Sequence, residues 1–328
     1  MTDELEERLS AIFKATDISE RALFEEAGAA IRRGELVAFP TETVYGLGAD
    51  ALNADAVKKI YEAKGRPSDN PLILHVCDIK MAESVVEINW RARFLMEKFW
   101  PGPLSIVLDA KPAVPERTRG GLSTAAVRMP DNRIALELIK ASGCPIAAPS
   151  ANKSGRPSPT DAATVREDLG DAVKIILDGG NTRVGVESTV LDLTGDHAVL
   201  LRPGGVTKEQ LEYVLKEEVL LPKDTLMIKR SPGTRYRHYA PSIPLKLCTP
   251  SQISVKEGTK WAWIGTREPE LKPYTKILFS NIEEYTKELF RALRTIEKSG
   301  AEIIIAEDPG STGIALALRD RLERAAGK

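Results

Sequence analysis

The sequence predicts an α/β protein built in two parts: a twisted, open, mixed sheet covered by helices, then a smaller Rossmann-like α/β domain. Three observations carry that prediction. Short apolar or β-branched runs alternate with stretches whose apolar residues return every three or four positions, along almost the whole chain. In the first two-thirds, several strand candidates follow one another too closely for helical crossovers, which mixes antiparallel with parallel neighbours. Between them and the last alternating region, residues 225–256 hold no acidic residue but carry Lys229, Arg230, Arg235, Arg237, Lys246 and Lys256, around a Pro/Gly-marked centre from Ser231 to Pro241. The expected boundaries are residues 1–222 for the first domain, 223–243 for a basic linker or lid, and 244–328 for the second domain.

Taken in order, residues 3–14 and 19–33 read as helices. In the second, Ser19 is the N-cap, Leu23, Ala27, Ala30 and Ile31 form the apolar face, and Gly34 closes it. Residues 36–39 are a buried strand ended by Pro40, and the polar and glycine residues Thr41, Glu42, Thr43, Tyr45, Gly46 and Gly48 leave its carboxyl end, where open α/β sheets build ligand sites. Asn53 caps a helix with the stripe Ala56, Val57, Ile60 and Ala63, and Gly65 stops it. Lys64-Gly65-Arg66-Pro67-Ser68-Asp69-Asn70-Pro71 then runs into a strand at 72–76. Helices follow at 79–87 and 90–99, strands at 104–108 and 124–129, a helix at 131–142, a strand at 145–148, a helix at 160–169 and a strand at 173–177. Residues 187–193 alternate like a strand with one wet face. Residues 199–201 lead into Arg202-Pro203-Gly204-Gly205, and a helix at 207–216 ends the domain. In the second domain, strands are expected at 245–247, 261–264, 277–279 and 303–306, with helices at 282–299 and 312–325. It has no G-x-G-x-x-G, so the pattern is Rossmann-like without a dinucleotide fingerprint.

Composition bounds the function classes. A chain of 328 residues is long enough for two cores, and 42% hydrophobic with 28% charged residues is the balance of a globular protein. A net charge of -1 gives no global attraction for nucleic acid or membrane, so any anion site is local. No apolar run is long enough to span a bilayer, and the acidic, amphipathic N-terminus is unlike a targeting segment, which points to the cytoplasm. Cys77, Cys144 and Cys248 form neither a disulfide framework nor a zinc pattern, and are expected as buried small hydrophobes. There is no P-loop, no G-x-S-x-G elbow and no H-E-x-x-H, and with three histidines a histidine-based triad is poorly supported.

What remains is a set of cations and hydroxyls at strand ends: Lys64, Arg66, Arg128, Arg202, Thr41, Thr124, Ser150, Asn152, Ser158 and Ser188. Such a set suits phosphoryl or nucleotidyl chemistry, in which catalysis is mostly positioning and charge stabilisation. Two cations, two prolines and an amide between Lys64 and Pro71 are too stiff and too basic for a filler loop. Taken singly, each has a plainer reading: a solvated loop cation, a turn or cap hydroxyl, an idle basic linker, or, for Glu42 and Glu187, a structural hydrogen bond.

The string Pro40-Thr41-Glu42-Thr43-Val44-Tyr45-Gly46-Leu47-Gly48, followed by Lys64-x-Arg66 and answered by Ser150-x-Asn152, resembles the signature of the YrdC-domain family, the threonylcarbamoyl-AMP synthases. The Arg235-Tyr236-Arg237-His238-Tyr239-Ala240-Pro241 linker and the further α/β segment resemble the long two-domain form of that family, strongly over about residues 15–245. The resemblance implies that L-threonine and bicarbonate give a carbamate whose oxygen attacks the α-phosphate of ATP, releasing pyrophosphate. It implies that Lys64 and Arg66, with Ser150 and Asn152, grip the phosphates. It matches Asn70, Thr124, Ser158 and Arg202 to ATP, Tyr239 to a lid over the nucleotide, and Thr41, His75, Arg128, the Ala148 backbone and Ser188 to threonine. Mg²⁺ is expected on the triphosphate, held mainly by phosphate and water. The product would pass to a separate transferase that acts on tRNA. Two other classes compete. One is an RNA-binding module without catalysis, against which stands the scarcity of aromatics for stacking bases. The other is a carbamoyltransferase of the hydrogenase-maturation kind, whose zinc-finger segments would need a CxxC that this chain lacks.

Overall fold

A computed structural model describes residues 12–14, 20–222 and 238–327. The first sheet has ten strands: β1 (Ile12–Lys14), β2 (Val37–Pro40), β3 (Tyr45–Asp50), β4 (Ile73–His75), β5 (Leu104–Asp109), β6 (Thr124–Arg128), β7 (Ile146–Ala147), β8 (Ile175–Asp178), β9 (Thr189–Asp192) and β10 (Val199–Arg202). Their spatial order is β1-β8-β2-β3-β7-β4-β6-β5-β9-β10, mixed as expected, with β2–β3 and β5–β6 antiparallel and β4–β6 and β5–β9 parallel. Helices α1 (Glu20–Arg32), α2 (Ala54–Lys64), α3 (Ile79–Glu83), α4 (Trp90–Phe99), α5 (Arg133–Ser142), α6 (Ala162–Leu169) and α7 (Lys208–Leu215) cover it. One core packs α2 and α4 against Leu47, Leu74, Ile106 and Val127, and another packs α1 and α5 against Phe39 and Ile146 on the opposite face.

The second sheet holds β11 (Leu245–Cys248), β12 (Trp261–Gly265), β13 (Thr275–Leu278) and β14 (Ile303–Glu307) in the order β11-β14-β12-β13, all parallel. Helices α8 (Ile282–Glu297) and α9 (Ile314–Ala325) lie between this sheet and the first domain. Val44 and Val186 join Tyr239, Phe290 and Leu318 in one apolar cluster across the seam.

Several expectations need correction. The helix expected at 3–14 has residues 12–14 as a strand, parallel to β8; an otherwise bare sheet edge outweighs the local helical period, as tertiary pairing often does. Residues 3–11, Ser19 and the linker cations Lys229, Arg230, Arg235 and Arg237 lie outside the described residues. The glycine-bearing stretch after Pro40 does not leave the sheet: β3 turns back and pairs with β2. Gly48 is there because a Cβ at that position would lie 2.8 Å from both Phe39 and Ile146 side chains, so the bare backbone lets the two layers close. The strand expected to have a wet face, β9, is buried on both, because Leu191 joins the main core on one face and Val190 packs with Ile73, Val107 and Val199 on the other. The helix at 79–87 stops at Glu83. Of the cysteines only Cys77 is buried; Cys144 and Cys248 are half-buried.

Candidate active site

The site gathers where the β2–β3 turn, the C-terminal end of α2, the ends of β4 and β6, and the segments around Ser150 and Ser188 converge. Helix α2 sets its basic corner. Asn53 Oδ1 accepts from Asp55 N and Ala56 N at 3.0 and 3.1 Å, and Gly65 ends the helix in the left-handed region at φ 59°. That turn drives Lys64 and Arg66 inward. Lys64 Nζ donates to the Ser150 carbonyl at 2.5 Å and also to the Asn152 carbonyl. Ser150 Oγ donates to Asn152 Oδ1 at 2.6 Å, so the distant Lys-x-Arg and Ser-x-Asn motifs form one hydrogen-bonded unit.

The pocket is lined by Thr41, Arg66, His75, Arg128, Ala148, Ser150, Asn152, Ser188, Arg202 and Tyr239, all of them expected from the sequence. It is also lined by Thr43, Val44, Gly46, Ile73, Pro149, Glu187 and His238, which were not assigned to the site. Lys64, Asn70, Thr124 and Ser158 are buried but outside this lining. Lys64 spends its ammonium on the two carbonyls, Asn70 gives its carbonyl to Tyr61 Oη at 3.1 Å, Thr124 sits at the start of β6, and Ser158 Oγ donates to Glu187 Oε1 at 2.5 Å.

The electrostatics are those of an anion trap. Burial pushes the Lys64 ammonium well below the ordinary lysine range, and neighbouring Arg66 pushes the same way. Arg66 itself is lowered to about 10 by burial. His75 falls to about 3 through burial and the charge of Arg128, and His238 to about 3 through burial, Arg66 and Lys64, so both imidazoles are neutral at physiological pH. Glu187 stays below the usual carboxylate range: burial pushes it up, but Arg321, Arg202 and the Ser158 hydroxyl outweigh that.

Arg128 is largely held by the protein itself. Its Nε donates to the Gly102 carbonyl at 3.2 Å and its Nη1 to Thr43 Oγ1 at 3.0 Å. Its Nη2 lies 2.6 Å from Glu42 Oε2 but without hydrogen-bond alignment, which leaves Nη2 and both Glu42 oxygens without a hydrogen-bond partner among the described residues. Arg202 bonds the Ser188 carbonyl through Nε at 3.1 Å and Nη2 at 2.9 Å, and Ser188 Oγ pairs with Ser105 Oγ at 2.8 Å.

A two-domain α/β protein with a cationic pocket, paired hydroxyls and, among the described residues, no nucleophile–histidine pair defines the class: an enzyme that positions and transfers charged groups on its own backbone and guanidinium scaffold. Comparison with known proteins makes the class particular. A family model described as Telomere recombination matches residues 29–204, and one described as Threonylcarbamoyl-AMP synthase, C-terminal domain, matches residues 206–327. A threonylcarbamoyl-AMP synthase of Bacillus subtilis is 47% identical over 321 residues, covering 92% of each chain. One from Pyrococcus abyssi is 46% identical over 313 residues, covering 90% of this chain and 92% of its own. The crystal structure of P. abyssi Sua5 complexed with L-threonine superposes with a TM-score of 0.87 at 43% identity, covering 94% of this chain and 95% of that one. The chain belongs to the threonylcarbamoyl-AMP synthase family.

Proposed function

We propose that this pocket makes threonylcarbamoyl-AMP, diphosphate and water from L-threonine, bicarbonate and ATP, the first step of the threonylcarbamoyladenosine modification of tRNA. The observation that carries the reading is the single hydrogen-bonded unit formed by Lys64, Ser150 and Asn152 beside Arg66, in a pocket where Arg66, Arg128 and Arg202 converge. A triphosphate and an amino-acid carboxylate are the anions that such a pocket suits.

In this reading Lys64 and Arg66, with Ser150 and Asn152, grip the phosphates and offset charge growing on the α-phosphate as the carbamate oxygen attacks. Asn70, Thr124, Ser158 and Arg202 serve ATP, and Tyr239 closes over the nucleotide. Thr41, His75, Arg128, the Ala148 carbonyl and Ser188 surround threonine. The Ala148 N–H is already given to the Ile73 carbonyl at 3.0 Å, which leaves the carbonyl as that residue's polar contribution. Arg128, ion-paired with Glu42 at 2.6 Å, supplies positive charge on the threonine side of the pocket.

Mg²⁺ accompanies ATP and, when bound, neutralises part of the triphosphate's charge. Among the described residues lining the pocket Glu187 is the one acid, and no described cluster of three His, Cys, Asp or Glu residues has metal-holding geometry. That donor set fits an ion carried by phosphate and water. The labile product then passes to a separate transferase in the cytoplasm. No described helix is long and apolar enough to cross a membrane. The pocket's rings speak against RNA as the ligand that the residues serve, because His75, His238 and Tyr239 are buried and bases need exposed stacking faces.

The test is pyrophosphate release from ATP by purified protein, with threonine and bicarbonate each present or withheld, and mass spectrometry of the adenylate. Release that needs both and collapses in Lys64→Ala and Arg66→Ala is the expected result. A folded, ATP-binding protein without turnover would overturn it.

A further inference from the structure

Arg321 of α9 is fully buried, yet it belongs to the second domain and reaches the wall of the pocket in the first. Its Nε donates to Glu187 Oε2 at 2.7 Å and its Nη2 to the Pro203 carbonyl at 3.0 Å, while its Nη1 is paired with Asp320 of its own helix. Its guanidinium carbon stands 5.3 Å from the centre of the Tyr239 ring. Glu187 and Pro203 each precede or follow a proposed ligand-binding residue by one position: Glu187 stands before Ser188, and Pro203 after Arg202. The two segments touch so closely that a Cβ on Gly204 would fall 2.5 Å from the Glu187 carbonyl.

Glu187 is the joint of this arrangement. One carboxylate oxygen takes the Ser158 hydroxyl and the other takes Arg321, so rotation of the carboxylate in either direction breaks one of the two bonds. Among the described residues Arg202 donates to Ser188 while its charge also favours the Glu187 carboxylate, whereas Arg321 donates directly to that carboxylate and sets its angle. The other buried interdomain guanidinium, Arg294, behaves differently. It pairs with Asp168 at 2.6 and 3.0 Å, on the side of α6, and donates to the Pro157 carbonyl at 2.5 Å, but it is not in the pocket lining and does not touch Glu187.

We propose that Arg321 is a positioning residue of the active site, supplied by the second domain: it fixes the Glu187 carboxylate, and through it Ser158 and the paired segments that carry Ser188 and Arg202. The second domain is then a structural part of the pocket and not only a tether for the linker. This rests on the synthase reading above, so the wild-type full chain is assayed first. If it makes no threonylcarbamoyl-AMP, the synthase reading fails, whatever Arg321 does.

Given wild-type turnover, Arg321→Met, Arg321→Lys, Glu187→Gln and the double variant Glu187→Gln/Arg321→Met are compared for kcat, for KM of threonine and ATP, and for melting temperature. Asp168→Asn is the control: it weakens the interdomain Arg294–Asp168 pair and keeps the Arg294 donor to the Pro157 carbonyl beside Ser158. The expected results are a kcat loss of about 30-fold or more in Arg321→Met, several-fold recovery in Arg321→Lys, and a double variant no slower than the worse single variant. Asp168→Asn is expected to lower the melting temperature with less than a threefold change in kcat. Three outcomes overturn the proposal: wild-type kcat in a folded Arg321→Met, losses that multiply in the double variant, or equal kcat losses in Asp168→Asn and Arg321→Met. Where Arg321→Met does not fold, Arg321→Lys and Glu187→Gln decide alone. Unchanged kcat in both, with melting temperatures within a few degrees of wild type, is then the overturning result.

Discussion

His75 and His238 stand among guanidinium groups and are held neutral near a value of 3, while Lys64 is buried with its charge strained by Arg66. A polyanion arriving beside Lys64 reverses the second effect, because an opposite charge favours the ammonium that burial disfavours. ATP binding therefore takes up protons in alkaline buffer. Calorimetry in two buffers of different ionisation enthalpy should give different apparent binding heats, and Lys64→Met should shrink the difference. Equal heats for the wild type would show that Lys64 is fully charged before ATP arrives. Specificity is also decided by single residues. A threonine hydroxyl read by hydrogen bonds leaves the groups that read it unpaired when valine replaces threonine, so valine is expected to lose about 10⁴-fold or more in kcat/KM. Serine lacks only a methyl and should lose about 10- to 200-fold. Competition assays that rank valine above serine would show that the pocket reads shape and not the hydroxyl.

Helix α2 shows how an element delivers the site. Its N-cap Asn53 lies at the far end from Lys64, and its C-cap Gly65 adjoins both site cations. The two caps predict separable effects. Asn53→Ala removes the side chain that satisfies two backbone N–H groups and should cost about 1 kcal/mol of stability, with ATP KM unchanged. Gly65→Ala meets no atom within 4 Å, so its cost is the left-handed backbone itself, about 1–2 kcal/mol, and relaxation there also turns Arg66, raising ATP KM. Denaturant melts and ATP titrations check both, and an unchanged KM in Gly65→Ala would detach the turn from the phosphate grip. This helix was legible in the sequence because cap, stripe and stop all agree locally. Strand β3 was not: Gly46 and Gly48 signal a loop, and the reason for Gly48 is contact with Phe39 and Ile146, the latter 98 residues away in sequence. The same divide runs through the site. Lys64, Arg66, Ser150 and Asn152 are announced by short motifs, whereas Glu187 reads as structural until Arg321 is seen against it, and no local pattern singles out one arginine on an amphipathic helix.

At the scale of the whole molecule, the domains are joined by two pairs withdrawn from water, Arg321 with Glu187 and Arg294 with Asp168, and by a partly exposed one, Arg156 with Glu297 at 2.8 and 2.9 Å. Removing one partner of a buried pair strands the other, at a cost of about 3–5 kcal/mol. The buried histidines add a pH dependence of definite sign. His75 and His238 bind a proton near pH 6.5 when unfolded but only near 3 when folded. Between those values the unfolded chain binds more protons, so the stabilisation is complete above pH 6.5 and is lost as pH falls toward 3, at up to about 1.4 kcal/mol per pH unit for each histidine. Glu187 and Asp320, held below the ordinary carboxylate range, act in the same direction but only at lower pH. The window from pH 6.5 down to about 5 thus belongs to the histidines more than to the interdomain acids. Melting temperature should fall steadily from pH 7 to pH 5 in the wild type. His75→Asn should start lower but fall less steeply, because it has removed one of the two groups that titrate there. A parallel fall in both proteins would mean that His75 titrates alike in the folded and unfolded chain, and would remove the strongly depressed imidazole from the description of the pocket.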